Sequence, residues 1–294
     1  MFAGFTLETI DADDTAIRAR HRLAAGKPPL LLLHGNPQTH CMWHLVAPRL
    51  AERFSVVAPD LTGYGDSEKP PTTPDHAPYS KRAMARDQIA VMKRLGFERF
   101  FVAGHDRGAR VGYRMALDHP QRVARLAVLD IVPTWEAYMR ADMAFGLSYF
   151  HWFFMTQPFD LPERLIGADP EFYWRRHTAR EPKGPGFFAA PALEDYLRCF
   201  RNPATIHAIC EDYRAAASID MAHDEADRNA GRKITAPVLA LWGAAGRLEA
   251  WYDVLAIWRD WALDVRGRAL ACGHYLPEER PGEVAAELEA FFGD

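Results

Sequence analysis

Runs of apolar residues that end in turn signals predict the strands of a central sheet. The clearest run is residues 30–33, four consecutive leucines between two prolines and a His-Gly pair. An apolar run without alternation is typical of a parallel strand buried on both faces. Similar runs lie at residues 56–60, 100–103, 125–132 and 236–243 and just before residue 271, whereas residues 5–24 alternate loosely and predict an antiparallel edge hairpin.

Segments with helical spacing of apolar residues separate these strands. They predict helices over residues 43–54, 81–95, 252–261 and 281–292. Strands and helices that alternate in this way predict a doubly wound, mostly parallel α/β sheet.

The alternation stops between about residues 134 and 223, where aromatic residues and helix formers dominate. We therefore predict a helical cap over residues 134–223, inserted between core segments 1–133 and 224–294. The cap is expected to cover the carboxyl edge of the sheet, where open α/β sheets bind ligands.

Composition and charge exclude several classes of partner. The chain has 294 residues, of which 49% are hydrophobic, and its 35 Lys and Arg against 39 Asp and Glu give a net charge of −4. This balance provides no general attraction for nucleic acid or an anionic membrane, so neither is expected as a partner.

The spacing of the cysteines indicates whether the chain has a metal site, and the first residues indicate whether it is expected to be secreted. The four cysteines, Cys41, Cys199, Cys210 and Cys272, are scattered without metal-ligand spacing, which predicts reduced thiols and no metal site. The first residues have no basic segment followed by a long apolar core. From these features we expect a cytoplasmic protein that needs no metal or other cofactor.

The strand at residues 100–103 leads into the segment Gly-His-Asp-Arg-Gly at residues 104–108. Its Gly-x-Asp-x-Gly pattern resembles the nucleophile elbow of α/β-hydrolases, which normally carries serine at the centre. A serine that attacked a saturated carbon would become a stable ether, whereas Asp106 would become an ester. Because water can hydrolyse an ester, Asp106 predicts covalent catalysis on substrates such as alkyl halides or epoxides.

Two further residues complete a candidate catalytic triad. Asp130 ends the next predicted strand, and His274 lies in a Gly-His turn after the last one. The order nucleophile, acid, histidine is that of the α/β-hydrolase triad. His274 would activate the water that hydrolyses the ester, and Asp130 would orient it. Glu249 and Asp253 stay open as alternative acids, and a loop histidine without a catalytic role is the alternative for His274.

Two arginines follow the nucleophile closely. Arg107 and Arg110 are three residues apart, so on a helix they share a face beside Asp106. Two planar guanidinium groups suit a substrate carboxylate, which predicts that they bind an acid. A solvated charged face, or a salt bridge to an acid such as Asp130 or Glu211, is the structural alternative.

Taken together, six segments resemble the haloacetate (fluoroacetate) dehalogenases of the α/β-hydrolase fold. They lie at residues 34–40, 104–110, 128–134, 149–152, 210–216 and 273–278. The resemblance implies Asp106 as nucleophile, His274 with Asp130 as base and partner, and Arg107 with Arg110 as carboxylate clamp. It further implies a halide site of His151, Trp152 and Tyr213, oxyanion donors at the backbone of Asn36 and Arg107, a small haloacid as substrate, and a homodimer.

The sequence departs from that family at two places. Asn36 stands where the family commonly has Phe, so its amide is expected to add a donor to the halide pocket. No tryptophan occurs between Trp174 and Trp242, where the family tends to carry one in the distal cap.

Two other functions compete with dehalogenation. An epoxide hydrolase would use the same triad. Resemblance to that class would predict a tryptophan directly after the nucleophile, whereas this chain has Arg107 there. A binding protein that has lost turnover would not need Asp106, Asp130 and His274 together.

Overall fold

The computed structural model describes residues 1–178 and 184–293. Within these residues eight strands form one sheet in the order β1-β2-β4-β3-β5-β6-β7-β8. The strands are β1 Thr6–Asp11, β2 Ala16–Arg22, β3 Pro29–Leu33, β4 Ser55–Pro59, β5 Phe100–His105, β6 Val123–Leu129, β7 Val238–Gly243 and β8 Val265–Leu270. Strand β2 pairs antiparallel with β1 and β4, and all other pairs are parallel. The mostly parallel α/β sheet with an antiparallel edge hairpin is confirmed.

Fifteen α-helices and three 3₁₀ segments accompany the sheet within the described ranges. The α-helices are α1 Ala47–Leu50, α2 Lys81–Arg94, α3 Arg107–Asp118, α4 Thr134–Met139, α5 Met143–Ser148, α6 His151–Phe154, α7 Leu161–Ala168, α8 Pro170–Thr178, α9 Ala190–Phe200, α10 Pro203–Ala217, α11 Ile219–Asn229, α12 Leu248–Trp251, α13 Val254–Trp261, α14 Leu276–Glu279 and α15 Pro281–Gly293. The 3₁₀ segments are His40–Trp43, Ala77–Tyr79 and Gly184–Phe187.

The centre of the sheet is buried on both faces. The four leucines of β3 have no exposed surface, and the β7 residues are at least nine-tenths buried. Consecutive buried residues on a strand mean that both of its faces are covered, as in a doubly wound sheet. Strands β3, β5, β6 and β7 therefore hold the loops after their carboxyl ends in fixed positions, and these loops carry the candidate site.

One predicted helix is wrong. Residues 43–54 do not form a continuous helix: a 3₁₀ segment ends at Trp43, and α1 covers only Ala47–Leu50. Pro48 explains the break, because it lacks the N–H that a helix interior needs and fits only the first turn of a new helix.

The helical segment between β6 and β7 runs from α4 to α11 and forms no strand in its described residues. The boundary expected at residue 223 falls inside α11, which continues to Asn229. This helix is anchored on the sheet side of the molecule, because Asp227 pairs with Arg114 of α3.

No helix in the described ranges is both long and apolar enough to span a bilayer. In these ranges, no three His, Cys, Asp or Glu side chains are grouped to hold a metal ion. All four cysteines are buried and free.

Candidate active site

Asp106 lies on a strained turn between β5 and α3. Its backbone has φ +46° and ψ −115°, a conformation that residues other than glycine rarely adopt. The glycines on either side allow the turn. A Cβ on Gly104 would lie 2.6 Å from the Cα of Ala109, and one on Gly108 would lie 2.4 Å from the carbonyl oxygen of His34. The elbow thus presents the Asp106 side chain at the carboxyl edge of the sheet.

The backbone after β3 holds one oxygen of this carboxylate. The N–H of Asn36 donates to Asp106 Oδ1 at 2.9 Å. Burial raises the pKa of Asp106, but the nearby charges of His274 and Arg107 outweigh it and hold that pKa below its ordinary value. Asp106 is therefore an ionised carboxylate at neutral pH.

His274 and Asp130 form a hydrogen-bonded pair beside the elbow. His274 Nδ1 lies 2.6 Å from Asp130 Oδ2, and the N–H of Gly243 donates to Asp130 Oδ1 at 2.9 Å. Asp130 is buried, and its φ of +56° marks a second strained position at the end of β6. A proton on Nδ1 that is donated to Asp130 leaves Nε2 of His274 as the basic nitrogen.

The two alternative acids are used elsewhere. Glu249 accepts from the indole N–H of Trp242 at 3.3 Å, and Asp253 caps α13 through the N–H of Ala256. The structure therefore pairs His274 with Asp130.

His105, the residue before the nucleophile, supports the His274 backbone. Its Nε2 donates to the carbonyl oxygen of His274 at 2.7 Å, and the two rings lie 4.6 Å apart. Burial lowers the pKa of His105 to about 3, so it stays neutral.

Arg110 lies on the wall of the cavity that contains Asp106. Its Nη1 donates to the carbonyl of Val132 at 3.1 Å and to Thr134 Oγ1 at 3.0 Å, which fixes the guanidinium. Its buried Nε has no hydrogen-bond partner among the described residues. A buried guanidinium with a free donor beside the nucleophile is suited to an anionic ligand.

Arg107 lies deeper than the sequence predicts. It has no exposed surface, it is not part of the cavity lining, and its Nε lies 3.2 Å from Asp212 Oδ2. Its guanidinium carbon is 3.5 Å from the centroid of the Tyr213 ring. Both terminal nitrogens lack a hydrogen-bond partner in the described part of the chain. Arg107 thus forms a salt bridge to an acid, which was the alternative to substrate binding, and it also keeps free donors.

The three predicted halide ligands come together in the same cavity, where the Arg110 guanidinium carbon lies 4.7 Å from the centroid of the Trp152 ring. His151 and Trp152 are on α6, Tyr213 is on α10, and all three line the cavity. The rings of His151 and Tyr213 lie 5.5 Å apart, and those of Trp152 and Tyr213 lie 6.3 Å apart. Burial raises the pKa of Tyr213, which therefore keeps its phenolic proton.

The Asn36 side chain lies beside these residues. Its Nδ2 lies 3.3 Å from the Tyr213 hydroxyl oxygen and 3.4 Å from Nε2 of His177. The ring of His177, on α8, is perpendicular to that of His151 at 4.6 Å. His177 is absent from the sequence prediction. No motif or spacing in the helical segment marks it, because its partners are distant in the chain.

Together these side chains enclose a cavity of about 670 Å³ between the carboxyl edge of the sheet and the helical segment. The wall holds a carboxylate nucleophile, a histidine-carboxylate pair, a buried cation and several N–H or O–H donors. This arrangement suits covalent hydrolysis of a small anionic substrate that releases an anion.

Comparison with known proteins agrees with the fold. A family model described as alpha/beta hydrolase fold matches residues 28–281. A crystal structure from Nostoc sp. PCC 7120, described by its fold as an alpha/beta hydrolase, superposes with a TM-score of 0.96 at 53% identity over 99% of both chains.

Two curated relatives are enzymes. A fluoroacetate dehalogenase from Burkholderia sp. is 43% identical over 100% of this chain and 96% of its own. A soluble epoxide hydrolase from Corynebacterium sp. (strain C12) is 36% identical over 92% of this chain and 93% of its own. The chain belongs to the α/β-hydrolase superfamily and, within it, to the haloacetate dehalogenase family.

Proposed function

We propose that this protein hydrolyses the carbon-halogen bond of a small 2-haloacid, such as fluoroacetate or chloroacetate, to the 2-hydroxyacid and halide. The observation that carries the proposal is the buried Arg110, which lines the same cavity as Asp106 and whose Nε has no hydrogen-bond partner among the described residues. The 43% identity to a fluoroacetate dehalogenase supports it. A cation beside the nucleophile suits an acid better than a neutral substrate.

In the first step the substrate carboxylate binds Arg110, with Arg107 supplying a second positive charge from behind Tyr213. Asp106 Oδ2 attacks the α-carbon, because Oδ1 is held by the Asn36 N–H. The new O–C bond forms as the C–halogen bond breaks, and the halide leaves with the bonding electrons. Donors on His151, Trp152, Tyr213 and Asn36 stabilise the departing halide.

In the second step water attacks the carbonyl carbon of the Asp106 ester and gives a proton to His274 Nε2. The N–H groups of Asn36 and Arg107 stabilise the oxyanion. Collapse breaks the acyl C–O bond, the leaving alkoxide takes the proton from His274, and the acid form of Asp106 ionises. The balance is one haloacid and one water converted to one hydroxyacid, one halide and one proton.

The alternative is epoxide hydrolysis, favoured by the 36% identity to a soluble epoxide hydrolase. The Tyr213 hydroxyl on the cavity wall could protonate an epoxide oxygen. The buried positive charges of Arg110 and Arg107 offer nothing to a neutral epoxide, so we rank this function second.

The test compares fluoro-, chloro- and bromoacetate by release of halide and glycolate, with styrene oxide for the alternative. We expect turnover of at least one haloacetate, and we expect the His274→Asn variant to release about one halide per site and then stop with an ester on Asp106, visible by intact mass. No halide and no glycolate from any of the three acids would refute the proposal. Steady turnover by His274→Asn would refute the assigned base.

A further inference from the structure

The cavity is much larger than a two-carbon acid. A haloacetate has five non-hydrogen atoms and fills roughly 150 Å³ if each takes about the 30 Å³ share of one water molecule. The cavity volume is about 670 Å³. Leu147 and Phe172 line it although their side chains are 75% and 63% exposed, so the cavity extends from Asp106 to the surface. Most of this outer part would be empty with haloacetate bound.

Among the described residues, the charged side chains on the outer wall of the cavity are both arginines. Arg176 of α8 and Arg247, which precedes α12, line the cavity and are exposed. In the described part of the chain the carboxylates of the lining are Asp106 and Asp130, and both belong to the candidate catalytic site.

Within residues 1–178 and 184–293, neither arginine has a carboxylate partner or a side-chain hydrogen bond. Arg175, one residue from Arg176 but outside the cavity, pairs with Glu171 at 2.8 Å. In an acidic chain, two unpaired guanidinium groups at the outer wall of a cavity provide donors for a second anionic group.

We propose that Arg176 and Arg247 form a second carboxylate subsite and that the enzyme takes halogenated dicarboxylic acids, with the 2-halo carboxylate at Arg110 and the distal carboxylate at the outer arginines. This inference rests on the proposed dehalogenase function. Arg176 belongs to the helical segment and Arg247 to the loop between β7 and α12, so such a substrate would contact both parts of the protein. The cavity lining also includes apolar side chains such as Phe154 and Leu248, which suit the methylene groups of the substrate.

The kinetic test compares 2-bromosuccinate, 2-bromoglutarate and 2-bromoadipate with the monocarboxylic 2-bromoacids of equal chain length. We expect kcat/KM for at least one dicarboxylate to exceed that of its partner by about ten-fold. Arg176→Gln and Arg247→Gln should each lower kcat/KM for that dicarboxylate about three- to ten-fold by raising KM, and kcat for chloroacetate should stay unchanged. The matched control is Arg175→Gln, which removes the same charge outside the cavity. It should change kcat/KM neither for the dicarboxylate nor for the monocarboxylic acid of equal chain length.

A binding test separates this inference from the proposed function. Glutarate and butanoate, which lack halogen, are titrated calorimetrically into the wild type and the three variants. Tighter binding of glutarate that Arg176→Gln and Arg247→Gln abolish supports the subsite even if no haloacid is hydrolysed. If chloroacetate is hydrolysed but dicarboxylates bind and react no better than monocarboxylates, the subsite is wrong and the dehalogenase function stands. An equal effect of Arg175→Gln would mean that the arginines only attract dicarboxylates at long range, and it would overturn the subsite.

Discussion

At the scale of single residues, the charge of Asp106 depends on its surroundings. A buried carboxylate is costly without compensation, since burial alone favours the neutral acid. Here His274, Arg107 and Arg110 each favour the ionised form, and the N–H of Asn36 donates to one of its oxygens. The positive charges of Arg107 and Arg110, which favour the ionised form of Asp106, also attract an anionic substrate, so the charge of the nucleophile and the recognition of the substrate depend on the same arginines.

Replacing Arg110 should weaken recognition of the substrate carboxylate without preventing the protein from folding. In Arg110→Leu the substrate carboxylate loses a buried charge-assisted partner, worth about 2 to 4 kcal/mol. We therefore expect kcat/KM for chloroacetate to fall by about 30- to 1000-fold, measured by halide release, with the cooperative unfolding transition preserved.

The matched control for Arg110 is Arg114→Leu. Arg114 is on the same helix and equally buried, but it pairs with Asp227 and does not line the cavity. This variant should lose stability while its folded fraction keeps kcat/KM. Unchanged kinetics in Arg110→Leu would exclude it from the carboxylate site.

The sequence predicts the residues that stand beside strand ends better than those of the helical segment. Asp106, Asp130 and His274 each follow a predicted strand, and parallel strands place such residues along one edge. Helical spacing and the family resemblance both predict Arg107 beside Asp106, but neither shows that Asp212 of α10 pairs with it. His177 could not be found, because only packing brings it to Asn36.

At the scale of elements, α10 shows why the helical segment resists prediction. Its residues 208–216 are all buried, so it has no polar face that a periodic pattern would reveal. Asp212 pairs with Lys81 and Arg107, while its neighbour Tyr213 lines the cavity. The strands, in contrast, are short continuous apolar runs, which explains why they were predicted closely.

Glu278 on α14 links three elements and makes their packing depend on pH. It accepts from Tyr196 of α9 at 3.0 Å and bonds with Gln38 after β3. Burial raises the pKa of Glu278 to about 8. The folded protein therefore keeps a proton that the unfolded chain releases near its ordinary pKa of about 4.5, so this group stabilises the fold at low pH and loses that contribution as pH rises through about 8.

The variant Glu278→Gln tests this linkage. Glutamine is neutral at every pH, so the variant should not lose this contribution as pH rises. Between pH 5 and pH 9 its free energy of unfolding should rise relative to that of the wild type by on the order of 2–4 kcal/mol. The measurement is urea unfolding at both pH values. Glu283→Gln, at an exposed position on α15, is the control and should leave the pH dependence of the wild type in place. A parallel pH dependence in Glu278→Gln would contradict the assignment.

At the scale of the whole molecule, apolar exposure is concentrated on the helical segment. Nine of the thirteen large apolar side chains that are exposed among the described residues belong to residues 139–172. Water-exposed apolar surface of this kind marks interaction sites in soluble proteins. Leu161 and Leu165 lie one turn apart on α7 and so share a face. We propose that this face binds a second copy of the chain, in keeping with the homodimer that the family resemblance implies.

A charge placed on that face should separate the two copies. Leu165→Glu would bury a carboxylate in the interface, which costs several kcal/mol and shifts a micromolar or tighter dimer to monomers at micromolar protein. Light scattering after size exclusion measures the mass. Leu263→Glu is the matched control: this leucine is similarly exposed but lies near β8, so the variant should remain a dimer. A monomeric wild type, or a Leu165→Glu variant that stays dimeric, would remove α7 from the interface.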